Sequence, residues 1–340
     1  MKNSRIHLLG IALLAPGSMV GAMPAFAGSF TYSYPPAGQY NATYGLAIND
    51  AGTVIGNAST HSAPLEQGFI WAGGSVTNYA APGGHNTSFT VINAPGLIAG
   101  SYQVGRGRGA FVYNPTTNSY QDLPIAGGKA AQPAGINAPG QVVGSTRSGG
   151  FLYSGGVVEK MAPPKSTQVQ ANGLNDSGFV VGNFENKKTH VGYGFEFDGT
   201  SYTVLSPHGA TYAVANFITN DGVIGGAYND SSGHQHGYTF DGTTYSVVDY
   251  PGAVTSIPVG IGPGGEVVGN WTDSSGIEHG YVMTGDNYYS INAPTAYPST
   301  EITGVNASGT LVGTSFTANS EFDYVAFQAV CPAGQAPCTQ

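Results

Sequence analysis

The stretch INAPGQVVG, residues 136–144, sets Ile136 before a turn of Asn137, Ala138, Pro139 and Gly140, with the pair Val142–Val143 after it. β-Branched residues suit a pleated surface, and Asn, Pro and Gly each favour a turn for a different steric reason, so the stretch predicts strand, tight turn, strand. The pattern returns as INDAGTVIG from Ile48, INAPGLIAG from Ile92, LNDSGFVVG from Leu174, ITNDGVIGG from Ile218, IGPGGEVVG from Ile261 and VNASGTLVG from Val305. The turn glycines Gly52, Gly96, Gly140, Gly178, Gly222, Gly265 and Gly309 are 44, 44, 38, 44, 43 and 44 residues apart. A period of this size marks a repeat architecture in which each copy is one supersecondary unit.

Downstream of each hairpin lies a second signature, a small residue followed by an alternation of aromatic or apolar side chains. It reads Gly68-Phe69-Ile70-Trp71, Ala110-Phe111-Val112-Tyr113, Gly150-Phe151-Leu152-Tyr153, Gly194-Phe195-Glu196-Phe197, Gly237-Tyr238-Thr239-Phe240 and Gly280-Tyr281-Val282-Met283, with a weaker copy at Ala326-Phe327-Gln328-Ala329. In several copies DG or GG then turns the chain into a fourth strand, which Pro82, Pro124, Pro163, Pro207, Pro251 or Pro294 closes. Each unit therefore offers four strands.

The two chain ends complement each other. GSFTYSYPP, residues 28–36, resembles a fourth strand without its first three, and the last repeat stops after its third strand at DYVAFQAV, residues 323–330. An open solenoid begins and ends on whole or capped repeats, whereas a closed ring is fastened when one terminus completes the sheet begun by the other. The expected fold is all-β, a seven-bladed β-propeller of four-stranded blades whose last blade the N-terminal strand completes, with residues 29–34 beside 324–330. Almost no helix is expected in a chain of 340 residues with 53 Gly, 21 Pro and 11% aromatics.

The first 27 residues carry Lys2 and Arg5, an apolar run from Leu8, and Ala25-Phe26-Ala27. That order predicts a secretory signal peptide cleaved after Ala27, a propeller domain over 28–330 and a short tail over 331–340. No later window has the uninterrupted apolar length of a membrane helix, so the mature chain is expected in the periplasm or outside the cell. Losing Lys2 and Arg5 leaves 8 basic against 19 acidic residues and takes the net charge from -9 to -11. That excess repels phosphate backbones, so no nucleic-acid partner and no membrane insertion are expected. The tail's Cys331 and Cys338, in CPAGQAPC, are expected to form a local disulfide in an oxidising compartment.

The alternation of an IN..G.VVG hairpin with an HGY or GAF strand about every 43 residues resembles the HAF-repeat family of extracellular bacterial proteins, named for a His-Ala-Phe tripeptide. The resemblance covers nearly all of the mature chain. It implies an extracellular location and a repeat architecture, and it brings no activity or catalytic residues. In this sequence the His slot holds Gln67, Gly109, Gly149, Tyr193, His236, His279 and Val325, and the middle slot is usually Gly.

Candidate chemistry concentrates in units 4 to 6. His234 and His236 face the same side of a strand, but Zn²⁺ takes three or four ligands and no further His or Cys lies nearby in sequence, so no metal site is expected. His236 and His279 share a repeat slot and are expected to hydrogen-bond a neighbouring turn. The tips NDSSGHQHG from Asn229 and TDSSGIEHG from Thr272 read as turns in which Asp230 and Asp273 accept backbone N–H groups. The ring positions Tyr102, Phe184, Tyr228 and Trp271 share strand parity with the apolar residues Ile98, Val180, Ile224 and Val267 and are expected to extend the core between blades. No GxSxG, HExxH or P-loop is present, and no cofactor or catalytic residue is expected. The expected function is a secreted, non-enzymatic propeller presenting loops to a glycan or a protein, with Glu185, Asp230, His234, Asp273 and His279 as ligand-face candidates. The alternative is a polysaccharide hydrolase or lyase with its site at the mouth of the central channel. That chemistry requires at least two carboxylates, or a carboxylate and His234, in one concave pocket.

Overall fold

The computed structural model describes residues 30–36, 42–59, 67–125, 130–318 and 323–330. The leader expected over 1–27 and the disulfide expected between Cys331 and Cys338 lie outside the described residues. The described chain is all strand and turn. β1 (Thr31–Ser33) precedes unit 1, which holds β2 (Ala42–Ile48), β3 (Val54–Ser59), β4 (Gln67–Ala72) and β5 (Ser75–Tyr79). Unit 2 holds β6 (His85–Ile92), β7 (Ile98–Val104), β8 (Gly107–Asn114) and β9 (Ser119–Asp122). Unit 3 holds β10 (Gln132–Ile136), β11 (Val142–Thr146), β12 (Gly149–Ser154) and β13 (Val157–Lys160). Unit 4 holds β14 (Ser166–Leu174), β15 (Val180–Asn186), β16 (Gly192–Phe197) and β17 (Tyr202–Leu205). Unit 5 holds β18 (Tyr212–Ile218), β19 (Ile224–Asn229), β20 (Gln235–Phe240) and β21 (Tyr245–Val248). Unit 6 holds β22 (Thr255–Ile261), β23 (Val267–Thr272), β24 (Glu278–Thr284) and β25 (Asn287–Ile291), and unit 7 ends the chain with β26 (Ser299–Val305), β27 (Leu311–Phe316) and β28 (Tyr324–Val330).

Units 1, 2 and 3 each form a separate four-stranded antiparallel sheet in chain order. The sheet of unit 7 runs β1-β28-β27-β26, so the N-terminal strand stands where the other units have their fourth. Its register is Thr31↔Val330, Tyr32↔Ala329 and Ser33↔Gln328, and the Tyr32 ring lies 5.7 Å from that of Phe327. Units 4, 5 and 6 merge into one twelve-stranded sheet, where separate sheets were expected. The joins are single parallel pairs, Gly192↔Tyr212 and Gln235↔Thr255. At the first join, Gly192 has no side chain to hold the strands apart, and an added Cβ would collide with the Tyr212 ring. The start of each third strand thus runs alongside the start of the next unit's first strand.

Two devices make the hairpin motif work. Gly140 closes its turn at φ 84°, a left-handed conformation that any Cβ would strain. The motif's last glycine serves close packing instead: a Cβ on Gly100 would lie 2.5 Å from the Ser88 carbonyl oxygen and 2.7 Å from the Phe111 ring. That ring belongs to the small-aromatic signature of the third strand. Its equivalents Phe69, Phe151, Phe195, Tyr238, Tyr281 and Phe327 are all buried, so the two signatures are the two halves of one packing contact. Fully burying a side chain of this size contributes about 1.5–3 kcal/mol.

Side-chain amides join one unit to the next. Asn93, Asn137, Asn175 and Asn306, the Asn of the hairpin motif, each accept the N–H of the residue four positions on through Oδ1. Through Nδ2 they donate sideways to the carbonyls of Asn137, Asn175, Thr219 and Asn49, at 2.7, 3.0, 3.2 and 3.0 Å. A second set sits on the second strands. Asn270 donates to the Ile302 carbonyl and accepts from the Ile302 N–H, Asn57 does the same with Phe89, and Thr314 accepts from Gly45 N–H. The first strands touch in succession, β2 to β6, β10, β14, β18, β22, β26 and back to β2. Between these sheets lie aromatic and aliphatic clusters such as Ile55, Phe89, Phe111 and Tyr113, or Val268, Ile302, Leu311 and Phe327.

Candidate functional site

Every first strand carries a register shift at the same place, between Gly45 and Ala47, Phe89 and Val91, Pro133 and Gly135, Ala171 and Gly173, Ala215 and Phe217, Pro258 and Gly260, and Ile302 and Gly304. A bulge bends its strand and re-aims the extra residue. The core-facing residues before it, such as Phe89, Ala171 and Ile302, are buried, whereas Ser88, Gln132, Gln170, Val214, Ile257 and Glu301, one position earlier, are left half-buried or exposed. These residues face the space that the first strands enclose.

A second slot reaches the same place from the neighbouring unit. It lies two residues before the small residue of the third strand and holds Arg108, Ser148, Gly192, Gln235, Glu278 and Tyr324 in units 2 to 7. The Tyr324 ring lies 4.4 Å from that of Tyr44 of unit 1, tilted by 34°, Arg108 shares a cavity wall with Gln132 of unit 3, and the Glu278 N–H donates to Ser299 of unit 7. The cavity beside Arg108 has a volume of about 340 Å³. Ser88, Thr90, Gln132, Gln170 and Asn172 supply hydroxyl and amide groups to it, and no carboxylate lines it. At units 6 and 7 the two slots are both acidic. Burial, and then repulsion from Glu301, push the Glu278 carboxyl up to about 7, and burial raises Glu301 as well.

The histidine slot builds a third feature, on the same end of the sheets. His236 stacks 5.0 Å from Tyr228, its Nδ1 lies 2.6 Å from Asp249 Oδ2, and its Nε2 lies 3.5 Å from Asp230 Oδ2. Burial alone would lower its pKa, but the Asp249 and Asp230 carboxylates outweigh it and raise the imidazole above its ordinary 6.5. In unit 6 His279 stacks 4.4 Å from Trp271, with Nδ1 2.6 Å from Asn292 Oδ1 and Nε2 3.4 Å from Asp273 Oδ2. Tyr250 covers the other side of Trp271 at 4.1 Å and 6°.

The candidate residues read from sequence separate into three local groups. Asp230 accepts the N–H groups of Ser232 and His234, and His234 is largely exposed with its Nδ1 4.0 Å from Asp230. Asp273 accepts from Ser275 and Ile277 and meets His279. Glu185 is paired with Gln168 and, at 2.7 Å, with His190. The loop hydrogen bonds hold the Asp273 carboxyl below its ordinary range. In Asp230 partial burial opposes the same effect, yet the pKa is still lowered. None of the five lines the cavity beside Arg108. Among the described residues no group of three or more His, Cys, Asp and Glu is arranged to hold a metal ion. Of the four ring positions expected in the core, Tyr102 and Phe184 are buried, while Tyr228 and Trp271 are only half-buried and stack on the histidines. Sequence reading missed Asp249 and Asn292, which orient the two histidines. Each stands two residues before a closing proline, Pro251 or Pro294, and that shared offset was the available signal.

Three solved structures fix the architecture. The β-propeller domain of the Trilobed protease from Pyrococcus furiosus superposes with a TM-score of 0.64 at 13% identity, covering 85% of this chain and 97% of that one. The fold is a β-propeller. Virginiamycin B lyase from Staphylococcus aureus follows at 0.56 and 13%, covering 89% and 99%, and acylaminoacyl peptidase from Pyrococcus horikoshii at 0.58 and 13%, covering 85% and 52%. Identities this low carry the fold and leave chemistry to the site. No protein-family model matches the chain, and comparison with curated proteins finds no match.

Proposed function

We propose that this chain is a secreted, seven-bladed propeller that binds an extracellular glycan without turning it over. The blade count is supported by the cyclic contact of the first strands and by the three four-stranded meanders within the twelve-stranded sheet. The leader-like sequence over 1–27 supports secretion. One observation carries the binding reading: a cavity of about 340 Å³ walled by Ser, Thr, Gln and Asn side chains from three units, with no carboxylate in it. Pockets of this size suit small ligands, and fixed hydroxyls and amides match the alternating donors and acceptors of sugar hydroxyls. A glycosidic bond, by contrast, is cut by paired acids. A glycan array run alongside a polysaccharide-degradation assay on the mature protein tests the proposal. Binding with no released product supports it; binding confined to proteins, or no binding, overturns it.

A polysaccharide-active enzyme is the second reading, and the Glu278–Glu301 wall favours it, because an acid raised to about 7 beside a second carboxyl is suited to proton transfer. Product release that disappears in Glu278→Gln would establish it in place of the first.

A further inference from the structure

Arg108 is the only charged residue in the cavity wall, and its setting says what it is for. Its backbone pairs with Gln103 in the sheet, but among the described residues its guanidinium forms no ion pair and no hydrogen bond, although the chain carries 19 acidic residues against 10 basic ones. A guanidinium presents five donors in a planar fork, which a carboxylate satisfies with two parallel bonds. Arg108 lines the cavity together with Gln132 and Ser88, and the other lining residues are neutral. The equivalent slots elsewhere hold Ser148, Gly192, Gln235, Glu278 and Tyr324, so packing of the repeat does not call for a cation. The cavity therefore has one positive charge, surrounded by hydroxyls and amides, and lacks an internal counter-ion.

We propose that the cavity between units 2 and 4 selects an acidic saccharide, with the uronate carboxylate on Arg108 and the ring hydroxyls on Gln132, Gln170 and Asn172. This rests on the glycan-binding reading and adds the class of sugar. A single fork suits one carboxylate per bound residue; the amides of Gln132 and Gln170, each both donor and acceptor, suit vicinal hydroxyls, and Asn172, whose Nδ2 already donates to Asn183 and Ala215, offers its Oδ1 as an acceptor.

The test uses the mature protein and calorimetric titration with four probes: a galacturonate hexasaccharide, the same hexasaccharide fully methyl-esterified, maltohexaose and a sulfated galactan oligosaccharide. The free acid is expected to bind, about 10- to 100-fold more tightly than its ester, with affinity that falls as salt is raised. Arg108→Gln should lose that preference while melting at the wild-type temperature, and Arg108→Lys should fall between, since it keeps the charge without the fork. Equal binding of acid and ester, or an unchanged preference in Arg108→Gln, overturns this inference and leaves glycan binding standing. Tight binding of a sulfated galactan oligosaccharide with no binding of the uronate overturns the carboxylate assignment. If none of these saccharides binds, the glycan reading fails as well.

Discussion

At the hairpin end of the sheets, five of the seven units keep the same Asn; at the opposite end, the same repeat lets its residues diverge. The hairpin Asn recurs because its amide has two tasks at once, closing its own turn and bonding the next unit's backbone. A substitution there breaks a local turn and a joint between units together. The slot that opens the third strand has no such double task. Where it meets the neighbouring first strand, as at Gly192 and Gln235, it does so through backbone that is indifferent to the side chain, and it holds a guanidinium in unit 2, an amide in unit 5, a carboxyl in unit 6 and a phenol in unit 7. Internal regularity therefore marks what the ring needs, and internal irregularity marks what is free to meet a ligand.

The sharpest way to break this contrast is to remove a joint. Asn137→Ala, at the hairpin end, removes from a buried site both the acceptor of the Gln141 N–H and the sideways donor to the Asn175 carbonyl, which should cost about 2–4 kcal/mol in urea unfolding. Gln132→Ala, at the divergent end, should stay within about 0.5 kcal/mol. Similar losses in the two variants would erase the distinction.

A smaller effect separates the acidic wall from the cavity. An acid whose pKa rises on folding binds more protons in the native state, so stability falls as pH climbs from the unfolded value near 4.5 to about 7. Partial exposure of Glu278 limits the loss to about 1–2 kcal/mol. Thermal melts should decline across that window in the wild type and flatten in Glu278→Gln; a decline that survives the substitution assigns the effect elsewhere.

The smallest effect concerns the histidine rim. With its folded pKa above 6.5, His236 contributes fully below pH 6.5, and that contribution disappears as pH rises through the folded value. Asp249→Asn should bring the imidazole titration, followed by NMR, back toward 6.5. An unmoved titration would mean that Asp230 alone sets it.

The hairpins, the four-strand unit and the closing strand were legible because each is written in local period and turn chemistry. INAPGQVVG specifies its own turn, and GSFTYSYPP matches the fourth strand that the last unit lacks. The sideways amide bonds were harder to see, since the partner of Asn93 lies 44 residues away and that of Asn137 lies 38. Those separations are the repeat spacing itself, so an Asn recurring in step with the turn was a readable sign of a joint. The ligand-face candidates were chosen by residue type in three neighbouring loops, and each loop closes on its own acid. Which wall a side chain serves depends on the bulge at the first strand, and no residue type announces that bulge.

The pairing of Thr31–Ser33 with Gln328–Val330 also governs the order of assembly. A ribosome releases the bolt of this wheel about 300 residues ahead of its socket, so the nascent chain stays unlocked until Val330 has been added. A cargo fused ahead of Phe30 has to leave that short segment free to dock, and tethering it elsewhere would hold the circle open while every other sheet stands complete.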